Sequence, residues 1–155
     1  MLCGAVCRRA LRVVLVAGAL VGSSPVWAGS SLYGEAIARA LRLLPRQPER
    51  VVLVERADGA NAHKGKPRVE AFVNRVGKLV YLIRQGPTLQ AAVKGAGIFD
   101  YALAAIIWHE MAHIDGADEP AAQRAEEQLW KEFILANRVD RARGMRYLAL
   151  LNDRH

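Results

Sequence analysis

The sequence predicts an α+β domain, with a three-stranded antiparallel β-sheet packed on one long apolar helix and further helices around it. Three observations carry this. Runs rich in β-branched or alternating apolar residues cluster between Arg50 and Ile83. Segments on both sides repeat apolar residues every three or four positions, the period of a helix face. Glycine and proline fall between these runs, where turns belong. Strands grouped together and helices grouped together indicate α+β rather than an alternating α/β layout.

Taken in order, Ser30 to Leu44 reads as a helix, with Leu32, Ile37, Ala40, Leu41 and Leu44 on one face and Pro45 as its stop. Arg50 to Arg56 holds Val51-Val52-Leu53-Val54, a buried strand by its β-branched content. Asp58 to Pro67 combines glycine, proline and charge and reads as a loop. Val69, Ala71 and Val73 alternate with other residues as a second strand. Gly77-Lys78 turns the chain, and Leu79 to Ile83 forms a third, paired with the second as a hairpin. After Gly86-Pro87 a short helix runs from a Thr88 cap to Val93, ended by Gly95 and Gly97. Phe99 to Asp115 is the longest apolar helix, with Gly116 as its stop. Asp118 caps the next helix, with Pro120 in its first turn and Ala122, Ala125, Leu129 and Phe133 facing inward. A last helix spans Asp140 to Asn152 and is expected to bury Met145, Leu148 and Leu151.

The first 28 residues read as a cleaved export signal. Arg8, Arg9 and Arg12 precede the apolar run Val13 to Gly22, and Val26-Trp27-Ala28 offers a small-residue exit before Gly29. The run is too short to span a bilayer core of about 30 Å. The expected location is therefore secreted or periplasmic, by the general or the twin-arginine route, with no stable membrane span after cleavage. Residues 29–155 form a single domain.

The whole chain has 155 residues, 52% of them hydrophobic, which excludes a disordered protein. Both cysteines, Cys3 and Cys7, lie in the leader, so the mature chain has no disulfide. The leader also carries three of the 22 basic residues and none of the 15 acidic ones, lowering the formal charge from +7 to +4. That charge is mild. Lys64, Lys66 and Arg68 lack interleaved aromatic residues, so they read as a solvated loop and no nucleic-acid partner is expected.

The chemistry is concentrated in His109-Glu110-Met111-Ala112-His113. Residues four apart on a helix sit one above the other, so both imidazoles project from one face and can bind one zinc ion. Glu110 lies about 100° round the helix, where its carboxylate reaches the water that a zinc ion activates. Chance gives this pattern about 0.006 times in a chain of this composition. Ile106-Ile107-Trp108 precede it, and unpaired charge is costly in such surroundings.

The segment from Lys78 to Trp130 resembles the catalytic half of the zincin metallopeptidases, in which a strand precedes a helix bearing this motif and a second helix follows. The resemblance implies a small zincin-like domain, His109 and His113 as zinc ligands, and Glu110 as general base. For the third ligand, Glu119 occupies the last place of the metzincin pattern and also has the gluzincin spacing to Ala122. Glu126 is the rival, because a tight helix pair centred near Ala117 returns it to the level of His109. Glu127, one step round, is the third alternative.

Substrate selection is expected at an edge strand, Leu79 to Arg84, and at the loop from Asp58 to Pro67, since zincins hold extended peptides by main-chain pairing. Tyr81 and Tyr101 read as packing residues, His63 as an exposed loop histidine, and Trp108 and Met111 as core. The expected activity is an exported zinc metallopeptidase acting on peptides or proteins. The alternatives are a non-catalytic zinc-binding module, or a zinc hydrolase of a non-peptide amide.

Overall fold

A computed structural model describes residues 31–55, 70–95 and 97–152. The expected leader, the loop from Asp58 to Pro67 and His63 lie outside these residues. The elements are α1 (Leu32–Leu41), β1 (Arg50–Val54), β2 (Ala71–Asn74), β3 (Leu79–Ile83), α2 (Pro87–Val93), α3 (Ile98–Ile114), α4 (Glu119–Leu135) and α5 (Arg141–Asn152). The architecture is α+β, as the grouping of apolar patterns indicates.

The sheet departs from the expected antiparallel arrangement. β2 and β3 form the antiparallel hairpin, but β1 runs parallel to β3, giving a mixed sheet of order β1-β3-β2. Val80 thus sits between Val51 of β1 and Val73 of β2. The reason lies in the connection. Residues 55–70 separate β1 from β2, long enough to free β2 from pairing directly with β1. β3 is apolar or aromatic throughout, whereas β1 begins with the charged Arg50 and β2 ends with the polar Asn74, and β3 takes the central place. The expectation of a substrate edge at Leu79 to Arg84 is therefore corrected: β3 is paired on both sides. Among the described residues, β1 and β2 are the edges.

α3 is buried along Ala102 to Ile107 without a break, and again at Glu110 and Met111. A helix apolar around its whole circumference belongs in the middle of a fold. It packs against α1, α2, β2, β3 and α4. Arg39 ties α1 into this arrangement, donating from Nε to Asp100 at 2.9 Å and from Nη2 to the Ala92 carbonyl at 2.7 Å. Thr88 is not the cap expected of it; Pro87 begins α2, and the Thr88 backbone N–H donates to the Glu70 carboxylate at 2.8 Å.

The C-terminal pair is built around a close approach. Trp130 is fully buried and donates from Nε1 to the Gly144 carbonyl at 2.8 Å. A Cβ on Gly144 would lie 2.6 Å from Ile134 Cγ1, so glycine is what lets α5 come this near to α4. α5 is consequently turned to bury Gly144, Leu148 and Leu151, while Met145, expected inside, is 54% exposed. Among the described residues, no helix is long and apolar enough to cross a membrane.

Candidate metal centre

The turn between α3 and α4 builds the site. Gly116 has φ +98°, in the left-handed region where a side chain is strained. It allows Gly116 N to donate to the His113 carbonyl at 3.1 Å and Ala117 N to the Ala112 carbonyl at 2.9 Å, which closes the end of α3. The chain then reverses at once. Asp118 caps α4 by accepting from Ala121 N at 2.9 Å, which places Glu119 in the first turn of α4 beside the end of α3.

Three side chains converge there. His109 Nε2 and His113 Nε2 are 3.1 Å apart, and Glu119 reaches both, with Oε2 3.1 Å from His113 Nε2 and Oε1 3.4 Å from His109 Nε2. Metal bonds of about 2.0–2.1 Å in a tetrahedral site put ligand atoms about 3.3 Å apart. The observed separations match that spacing, and His109, His113 and Glu119 form a group that can hold a metal ion.

Proton bookkeeping points the same way. His113 Nδ1 lies 3.0 Å from the Ala117 carbonyl oxygen, which can only accept, so Nδ1 carries the proton. His109 Nδ1 lies 3.1 Å from Glu126 Oε2 and likewise donates. In the neutral rings both Nε2 atoms then present lone pairs, to one another and to a carboxylate. Three acceptors facing one point repel each other unless a metal ion or a proton lies among them.

Glu110 is 9% exposed on the neighbouring face of α3. Burial pushes its carboxyl pKa above the ordinary value, against the pull of His109 and His113. Glu110 neighbours His109 along α3, and the charges of Glu119 and Glu126 also raise its carboxyl pKa. At His109, burial draws the ring pKa down. The hydrogen bond and charge of Glu126, with Glu110 and Glu119, outweigh this and leave it raised.

The three carboxylates considered as third ligand are thus separated. Glu119, with its side chain 60% exposed, joins the two Nε2 atoms. Glu126 does return to the level of His109, but on the far ring nitrogen, with its side chain only 6% exposed. It is therefore outside the ligand group. Glu127 faces away and accepts from Lys131 Nζ at 3.3 Å. Tyr81 and Tyr101 are packing residues, Tyr81 stacked on Phe72 at 4.8 Å and Tyr101 edge-on to Phe133 at 5.0 Å. Met111 is core, and Trp108 lies under the Arg46 guanidinium.

Two participants escaped the sequence reading: the Ala117 carbonyl and Tyr147, whose hydroxyl donates to Glu126 Oε1 at 3.1 Å. The carbonyl follows from the turn geometry, and nothing in the sequence around Tyr147 marks it. A scan against protein-family models and searches of curated proteins and of solved structures return no match to this chain.

Proposed function

We propose that this chain is an exported zinc metallopeptidase, its leader removed before Gly29. The observation that carries the proposal is the convergence of His109, His113 and Glu119 beside a buried carboxylate, Glu110, that none of them neutralises by hydrogen bonding. Two imidazole nitrogens and one carboxylate oxygen suit zinc, and three protein ligands leave a position for substrate or water. When bound, zinc supplies Lewis acidity, polarising a carbonyl and easing the deprotonation of water.

The chain's own residues do the rest. Glu110 accepts a proton from the attacking water at a carboxylate oxygen as the new C–O bond forms. It then returns that proton to the departing nitrogen as the C–N bond breaks, so it ends the cycle as it began. Among the described residues, β2 is the edge strand packed against α3, and its unpaired main-chain groups are suited to an extended peptide. A module that only binds zinc needs no acid–base group beside its ligands, and this favours the peptidase reading.

Glu110→Gln tests it. The amide keeps size and polarity but cannot take the proton. Zinc content is expected to stay near that of wild type, while hydrolysis of casein or a peptide library falls by roughly two to four powers of ten. Full zinc with no hydrolysis in the wild type would favour the binding-module alternative, and undiminished hydrolysis in the variant would remove Glu110 from the reaction.

A further inference from the structure

We infer that Glu126 and Tyr147 form a positioning pair that holds His109 in its metal-binding tautomer and orientation, making α5 part of the metal centre. The inference rests on the metal-binding reading of the site and adds to it two residues that touch no metal.

The chain of contacts runs through three helices. Glu126 is 4% exposed, and both carboxylate oxygens are engaged: Oε2 with His109 Nδ1 and Oε1 with the Tyr147 hydroxyl, each at 3.1 Å. A buried carboxylate is costly unless its oxygens find donors, and here one donor comes from α3 and the other from α5. Tyr147 is placed by packing. Its ring lies 4.1 Å from that of Trp130, which is itself fixed by its hydrogen bond to the Gly144 carbonyl. The close helix approach at Gly144 thus sets the height at which the phenol meets Glu126.

The two ligand histidines are not held alike. His113 donates to a neutral carbonyl, that of Ala117, which also accepts from Arg75 Nη2 at 3.2 Å. His109 donates to a carboxylate, whose charge makes it a stronger partner for an imidazole N–H than a neutral carbonyl. A carboxylate behind the ring fixes its rotation, keeps the proton on Nδ1 and makes Nε2 a better donor to a metal. Removing such a partner lowers metal affinity by roughly 10- to 100-fold in general.

The experiment measures zinc affinity of the full mature chain by competition with a chromophoric chelator, independently of any hydrolysis. Glu126→Gln is expected to weaken zinc binding about 10- to 100-fold. Tyr147→Phe keeps the ring on Trp130 and removes only the hydroxyl, and a loss of about 3- to 10-fold is expected. The double variant should bind as Glu126→Gln does, because the phenol acts through the carboxylate. Gln123→Ala is the control. Gln123 also bridges α4 to α5, donating to the Leu151 carbonyl at 3.4 Å, but it does not touch Glu126. It should leave affinity at the wild-type value. If Glu126→Gln does not fold, Tyr147→Phe against Gln123→Ala decides alone. Wild-type affinity in Tyr147→Phe, or an equal loss in Gln123→Ala, would overturn the pair while leaving the metal site intact. A wild-type chain without zinc affinity would remove the site and the pair together.

Discussion

His109, Glu110 and His113 were legible as residues because the geometry that joins them is local. Four positions along a helix are always one turn apart, whatever else the chain does. The proposed third ligand is of a different kind, since Glu119 and Glu126 both return to the histidines across the α3–α4 turn. What separates them is which ring nitrogen each meets, Nε2 for Glu119 and Nδ1 of His109 for Glu126, and that is set by how α4 packs on α3 rather than by spacing. Glu119→Gln is expected to lose zinc affinity by more than tenfold, because an amide oxygen replaces a charged ligand. Glu127→Gln, altering a carboxylate paired with Lys131 instead, is the matched control and should bind zinc as wild type does. Chelator competition on the two variants checks this, and equal affinities would exclude Glu119 as a ligand.

At the scale of elements, the turn between α3 and α4 followed from its stop and cap, while the Thr88 cap, the end of α1 and the sheet order did not. Asp118 and Gly116 act within three or four residues of themselves and so show in the sequence. The parallel pairing of β1 with β3 joins residues nearly thirty positions apart, Val51 with Val80, and no local pattern encodes it. The exposure of Met145 has a similar origin, since Trp130 and Ile134 on α4 reserve the inward position of α5 for Gly144. The turn at Gly116 offers the test at this scale. Gly116→Ala forces a side chain into φ +98°, costing about 1–2 kcal/mol. It should also pull the Ala117 carbonyl and Glu119 away from His113. Urea unfolding is expected to show the lost stability, and zinc titration a weaker site. A variant unchanged in both would mean that the turn does not set the ligand geometry.

Across the whole molecule, the site is where three helices meet, α3, α4 and α5. α3 supplies two part-buried histidines from its C-terminal end, α4 supplies Glu119 from its first turn, and α5 reaches the cluster through Tyr147 and Glu126. A metal ion bound there crosslinks α3 to α4 and stabilises the native state alone, because the unfolded chain does not bring these ligands together. The most direct test is the zinc content of the purified mature protein, wild type beside His113→Ala, by mass spectrometry of the metal. About one zinc per chain in the wild type and almost none in the variant is the expected result, since a single imidazole and a carboxylate are too few to retain the ion. Stoichiometric zinc in His113→Ala, or none in the wild type, would contradict the site.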